Sequence, residues 1–275
     1  MSVDALDPIE IRAHGSAGPT IVGIHGGPGA PGSAGALARE LGRDFRAIEP
    51  LQRRSGVVPL TVERHVADLA AVAPPRATLV GWSWGAMLAL SFAARHPERT
   101  AAVALIGCGT YDDASRAEYS LRMEQRLGPE GRHRMRELRD RLATTTDAAE
   151  LDRLLAERGR LAASAQSVDP IEEDESTEDR LPVDGRGHEE TWADVLRLQR
   201  DGIEPAIFDA IDAPVLMIHG DEDPHPGRAT WNVLRAHISR LEYVGLPDCG
   251  HEPWRERGAR QQLFDRLRGW LSAPG

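Results

Sequence analysis

The chain contains no lysine: all 33 of its basic residues are arginines. Without lysine there can be no internal Schiff base, no pyridoxal anchor and no P-loop lysine, so whole classes of enzyme drop out. Cysteine is almost as scarce. Cys108 and Cys249 stand far apart and in no paired-ligand spacing, which argues against a zinc or redox motif and gives a disulfide no support. Two small packing residues are expected instead. No stretch approaches the roughly 18 to 20 uninterrupted apolar residues of a membrane helix. The opening MSVDALDPIEIR lacks the basic-then-apolar design of a secretory signal, so a cytoplasmic location is expected. An excess of positive charge is also missing. The net charge of −10 argues against nucleic acid as a partner, since nucleic acid is met by a basic footprint.

What is present is 275 residues, 41% of them apolar, enough for one large α/β domain or a domain carrying an insertion. Up to about Gly107 the pattern alternates. Extended segments read at Ile9–Ala13, Thr20–His25, Phe45–Glu49, Thr78–Trp82 and Ala101–Ile106. Helical patterns read at about Ala34–Leu41, Thr61–Ala71 and Trp84–Arg95, with Thr61 as a candidate cap. This rhythm predicts a mostly parallel sheet covered by helices on both faces. From about Thr110 to Ala206 strand signal disappears. Met135, Leu138 and Leu142 make one helical stripe, and Leu151, Leu154, Leu155 and Leu161 another. The eight arginines from Arg132 to Arg160 sit among acids, which reads as a solvated helix face. The acidic run Ile171–Asp179 reads as a solvated loop. Strand signal returns at Pro214–His219 and Arg240–Val244, and a helix bearing Leu263, Phe264, Leu267, Trp270 and Leu271 closes the chain. An α/β core of residues 1–109 and 207–275, split by a helical insertion at 110–206, is the expected organisation.

The run Gly81-Trp82-Ser83-Trp84-Gly85 lies between an apolar strand and an apolar helix. A serine there sits on a very tight turn, and residues two before and two after must be small or they collide. The hydroxyl is then exposed at the carboxyl edge of the sheet, where open α/β sheets bind ligands. Trp84 opens the helix, so its N–H has no intrahelical partner. Trp82 and Trp84 themselves read as core packing, with Trp84 alternatively lining a pocket. Trp192 and Trp254 are further candidates to reach it.

A serine hydroxyl needs a base, and the base needs an acid to orient it. Asp223, in HGDEDPHPG after one strand, and His251, in DCGHEPW after the next, fall at the same sheet edge in the order Ser, Asp, His. Asp221 and Asp112 remain alternatives for the acid. His25-Gly26-Gly27-Pro28-Gly29 follows the strand TIVGI. Its glycines can turn backbone N–H groups toward a developing oxyanion, so Gly27 and Trp84 are the expected donors.

With these four features in place, the chain resembles a serine hydrolase of the α/β-hydrolase superfamily along its whole length. The resemblance implies an acyl-enzyme mechanism, a helical cap over the site, a small-molecule or short-peptide substrate, and no cofactor or metal. HGGPG is similar to the prolyl iminopeptidase branch, which implies recognition of a substrate amine by cap acids such as Glu172, Glu173, Glu178 or Glu189. Esterases, lactonases and carbon–carbon bond hydrolases of the superfamily carry the same run, and acyl transfer or a non-catalytic receptor are further alternatives. Dehalogenase and epoxide hydrolase chemistry both need a carboxylate where Ser83 stands.

Overall fold

The computed structural model describes residues 8–171 and 181–272. Seven strands form one sheet: β1 (Ile11–His14), β2 (Thr20–Ile24), β3 (Arg46–Pro50), β4 (Ala77–Trp82), β5 (Thr100–Ile106), β6 (Val215–Gly220) and β7 (Leu241–Leu246). Their order is β1-β3-β2-β4-β5-β6-β7, and β1 pairs antiparallel with β3 while the other neighbours pair parallel. The described helices are α1 (Gly35–Leu41), α2 (Val62–Val72), α3 (Trp84–Arg95), α4 (Asp113–Thr144), α5 (Ala148–Gln166), α6 (Gly185–Arg200), α7 (Gly227–Leu234) and α8 (Arg260–Leu271). This is the α/β-hydrolase architecture that the sequence predicts.

The central strands read as continuous apolar runs because both faces of the sheet are covered. Alternate residues separate into two cores, as a period of two requires. Val22, Leu79, Leu105 and Met217 pack beneath α2 and α3. Ile21, Val80, Ile106 and Ile218 pack beneath α1 and α8. Every residue of α3 from Trp84 to Ala94 is buried, which explains a helix with almost no polar face. Thr61 caps α2 as expected, its hydroxyl accepting from the Arg64 N–H at 3.1 Å.

Between β5 and β6 run α4, α5 and α6. Leu138 and Leu142 of α4 pack on Leu151 and Leu154 of α5, with Leu161 alongside, so the two leucine stripes face each other. Gly128 (φ 64°, ψ 179°) breaks α4 in the middle and Pro129 restarts it, since proline disfavours helical backbone in the residue before it. The acidic run that reads as a loop falls almost wholly on 172–180, outside the described residues.

Asp184 ties α6 to the sheet layer. It caps the helix, its Oδ1 accepting from the Gly187 N–H at 2.9 Å and from the Ser55 hydroxyl at 2.8 Å. Its Oδ2 accepts the Ser55 N–H. Farther along α6, Glu190 accepts from the Leu60 N–H and Asp194 from the Val62 N–H. Three acids of one helix thus answer backbone donors of the loop entering α2. Asp184→Ala removes the cap and leaves these donors without their acceptor, so a loss of about 1–3 kcal/mol is expected. Urea denaturation monitored by circular dichroism measures it; an unchanged midpoint would show that water replaces the carboxylate at no cost.

Candidate active site

The parallel register brings four chain crossings to one edge. Ile24 lies beside Gly81, Trp82 beside Ile106, Ile106 beside Ile218, and Gly220 beside Leu246. The segments that follow β2, β4, β6 and β7 therefore leave the sheet together at its carboxyl edge. β3 lies on one side of β2 and β4 on the other, so the chain changes direction there, and the crevice of an open sheet forms at such a point.

Ser83 has φ 55° and ψ −117°, a left-handed conformation that costs a non-glycine residue of order 1–3 kcal/mol. The two glycines around it are required by contact. A Cβ on Gly81 would lie 2.2 Å from the Gly85 carbonyl oxygen, and one on Gly85 would lie 2.2 Å from that of Ile24. The Ser83 N–H donates to the Ile106 carbonyl at 2.9 Å, which pins the turn to the neighbouring strand.

Asp223 is buried, and its carboxylate gathers three imidazoles. Oδ2 accepts from Nδ1 of His251 at 2.6 Å and lies 3.2 Å from Nε2 of His219. Oδ1 accepts from the backbone N–H of His225 at 2.8 Å and from its Nδ1 at 3.0 Å. Burial alone would raise the Asp223 pKa, but its interactions with the His251, His219 and His225 rings outweigh it and hold the carboxyl well below its ordinary range. For His251 burial likewise opposes the charged form. The Asp223 charge and hydrogen bond overcome this, and the net shift is upward. His225 is displaced downward, its burial prevailing over Asp223. Of these two stacked rings, His251 is therefore the one that favours the proton.

The His251 backbone is fixed from several sides. Its N–H donates to the carbonyl of Gln166, the last residue of α5, at 3.0 Å. Its carbonyl accepts from the Trp82 indole N–H at 3.1 Å. Gly107 (φ 53°) leaves room for the ring, since a Cβ there would approach Nδ1 to 3.0 Å. The His225 ring stacks on His251 at 4.5 Å between centroids, and Tyr119 stacks on His225 at 4.2 Å. Buried Glu256 secures the turn before His251, accepting from the N–H groups of Gly250, Val168 and Asp169.

On the other side, Gly27 has φ 48°, and the Trp84 N–H is the first of α3. One side chain joins the two. Gln52 donates from Nε2 to the His25 carbonyl at 3.2 Å, and its Oε1 accepts from the Trp84 indole N–H at 2.8 Å. The Gln52 backbone N–H donates to Nε2 of His25, whose Nδ1 donates to the Gly26 carbonyl. His25 is thus a neutral imidazole, its pKa lowered chiefly by burial. Trp84 sits in the core with its edge against His65, the packing reading, so its backbone and not its indole faces the site. Trp82 packs over Gly26, where a Cβ would lie 2.5 Å from the indole, and against Trp254. Trp192 packs with the core beneath α2 and α3.

A model of the alpha/beta hydrolase fold family matches residues 63–254. The chain belongs to that family. A pimeloyl-[acyl-carrier protein] methyl ester esterase from Nitrosospira multiformis is 26% identical over 262 residues, covering 86% of this hydrolase and 89% of that protein. Two solved structures share the fold. A thermophilic esterase from Thermogutta terrifontis is 19% identical with a TM-score of 0.61, over 96% of this chain and 92% of its own. E-2-(acetamidomethylene)succinate hydrolase is 18% identical with a TM-score of 0.62, over 96% and 95%.

Ser83, Asp223, His251, Gly27 and Trp84 thus all fall at one edge of the hydrolase sheet. Asp221 does not share the cluster: it lies in the turn that the Asp223 N–H closes on the Gly220 carbonyl, with its own N–H on the Leu246 carbonyl and its carboxylate beside Gly245. Asp112 caps α4 by accepting from the Ser115 N–H. Neither Gln52 nor His225 was legible beforehand as part of the site. Gln52 carries no motif, and His225 lies two residues past the acid in a turn where a polar residue is unremarkable. Ligand atoms of Asp223, His225 and His251 lie within 4.8 Å of one another, but both Nδ1 atoms already point at the carboxylate. A cation there would have to displace the protons that join them.

In a proton NMR titration the His251 midpoint is expected above about 6.5, the ordinary imidazole value. Asp223→Asn should move it down, because the burial remains and the charge is gone. A midpoint indifferent to that change would break the electrostatic account of the pair.

Proposed function

We propose that this hydrolase cleaves a carboxylic ester of a small molecule through an acyl-enzyme formed on Ser83. The observation that carries the reading is a serine held at positive φ on the same sheet edge as an imidazole whose Nδ1 lies 2.6 Å from a buried carboxylate. His251 takes the proton from the Ser83 hydroxyl as its oxygen attacks the carbonyl carbon. Asp223 orients the imidazole and stabilises the imidazolium. The N–H groups of Gly27 and Trp84 receive the developing oxyanion, each donor worth roughly 2.7 to 4 kcal/mol of barrier. His251 then protonates the leaving oxygen, and water, activated the same way, releases the acid. The helices α4, α5 and α6 form the cap over this site, within residues 110–206.

The ester is preferred to a peptide on two grounds. The sequence relative named above is an ester hydrolase by name. An aminopeptidase of the prolyl iminopeptidase type needs a carboxylate to hold the substrate ammonium. Of the cap acids expected to serve, Glu189 is exposed on α6, where water screens its charge; Glu172, Glu173 and Glu178 lie outside the described residues and favour neither reading.

The decisive comparison sets a short-chain aryl ester against a prolyl arylamide, with wild type and Ser83→Ala in parallel. Ester turnover is expected, reduced about 10⁴-fold or more by the substitution with folding intact. Preferential turnover of the amide would make the protein an aminopeptidase. Ester turnover that survives Ser83→Ala would remove the serine from the chemistry. Because the base must be neutral, kcat/KM should rise with pH along a limb whose midpoint lies above about 6.5. A limb well below that value would assign it to a different group.

A further inference from the structure

Arg158, on α5, is a cation in an unusual setting. It is only partly exposed, yet among the described residues no carboxylate lies within ion-pair distance of it. Of the other partly exposed arginines, Arg53 pairs with Asp68 at 2.7 Å and Arg95 with Glu204 at 3.2 Å, while Arg99 donates to the carbonyls of Ala70 and Ala73. The contact that Arg158 makes is with a neutral ring, one guanidinium nitrogen standing 2.6 Å from Nε2 of His188. The other nitrogen of that ring, Nδ1, donates to the Pro28 carbonyl at 2.8 Å, so Nε2 is left as an acceptor. Burial, with the Arg158 charge adding to it, pushes His188 down to about 4, and the ring stays neutral. Arg158 therefore keeps its full charge, and a guanidinium has five N–H donors of which this contact uses one.

Its position follows from its neighbours on two sides. Through His188 it reaches Pro28, the residue after Gly27. The Asp184 N–H donates to the Gly29 carbonyl at 2.7 Å, fastening the same loop to α6. On the opposite side the Arg158 charge acts on the Tyr119 phenol, which also feels Asp223. Tyr119 stacks on His225, and His225 on His251. Gln166, whose carbonyl holds the His251 N–H, donates its amide to the Tyr119 oxygen at 3.3 Å. Arg158 is thus linked through His188 to the glycine loop and acts through Tyr119 and His225 on the His251 side. Glu189 is the carboxylate within electrostatic reach of it, and that side chain is exposed.

From this geometry we infer that Arg158 is a specificity residue that binds a carboxylate carried by the substrate, so that the preferred ester also bears a free acid. A planar fork of donors matches a carboxylate in a bidentate fashion, and a partly desolvated cation with no carboxylate at ion-pair distance among the described residues gains from receiving one. The inference rests on the serine esterase reading for where the substrate lies, and the two can fail separately.

The test uses the full chain and two aryl esters of equal length, mono-p-nitrophenyl glutarate and p-nitrophenyl pentanoate. Wild type should favour the anionic ester in kcat/KM. Arg158→Gln should lose roughly 10- to 100-fold on the anionic ester and less than about threefold on the neutral one. The loss should lie mainly in KM, and Arg158→Lys should restore part of it. An equal loss on both esters, or none on either, overturns the inference. A second measurement does not depend on turnover: calorimetric binding of free glutarate to Ser83→Ala, with and without Arg158→Gln. Binding that requires Arg158 would keep the carboxylate site even if Ser83 proved not to be the nucleophile. Absence of Arg158-dependent binding at millimolar glutarate would discard the site whatever Ser83 does. Should Arg158→Gln fail to fold, Arg158→Lys carries the same comparison, with a weaker preference expected.

Discussion

The candidate site depends on how closely α3 approaches the sheet. Gly81 and Gly85 face each other with no room for a single Cβ, and Gly85 also rests against the carbonyl oxygens of Ile24 and His25. That approach draws the strand–helix junction into a turn too tight for ordinary backbone, and Ser83 takes a positive φ as a result. The same contact seats the start of the glycine loop directly beside the start of α3. The loop and the helix N-terminus thus become two walls of one crevice, and Gln52 bridges them through His25 and the Trp84 indole. Strain at the serine persists because packing on both sides over-determines it.

The opposite wall is governed by charge. A buried carboxylate is costly unless its oxygens are met by donors, and Asp223 is met by three imidazoles and a backbone N–H. These donors are not equivalent. His225 shares its oxygen with a backbone donor and is stacked between two rings, so burial keeps it neutral. His251 alone has an oxygen at 2.6 Å and a net upward shift. The neighbouring imidazole therefore supports the acid while leaving the proton to His251. Two cationic rings in contact would repel, so one proton on the pair is the natural limit.

Much of this was legible in the sequence, because its strongest signals were steric. A glycine that must be glycine leaves a mark, and the GWSWG and HGGPG runs mark the two places where backbones nearly touch. Strand runs marked where the chain reaches the sheet edge, so Asp223 and His251 could be located by what precedes them. The arrangement α1 to α3 and the leucine stripes of α4 and α5 followed from periodicity. The helix α7 escaped, since Gly227–Leu234 is short and begins after two prolines, without a capping side chain. Gln52 escaped for a different reason. Its role comes from three long-range hydrogen bonds, and nothing local in Leu51-Gln52-Arg53 announces them. The arginines of α4 and α5 read as one solvated face, which holds for Arg139 and Arg153 but not for Arg158. Side chains alike in sequence differ here only by which helix surface turns inward.

The absence of lysine gains a physical consequence at that position. An ammonium partly withdrawn from water, with a neutral imidazole for a neighbour, holds its proton less firmly. A guanidinium remains charged even where burial lowers its pKa. Composition thus converts a desolvated position on α5 into a fixed positive charge across the whole range in which imidazoles titrate. The field it sets up adds to that of the Trp84 and Gly27 N–H donors and opposes the negative charge of Asp223. On the proposed reading, a substrate near Ser83 would meet the Arg158 charge on the side of the glycine loop and the Asp223 carboxylate behind His251. An anionic ester would, on that reading, be oriented with its acid toward Arg158 and its ester toward Ser83.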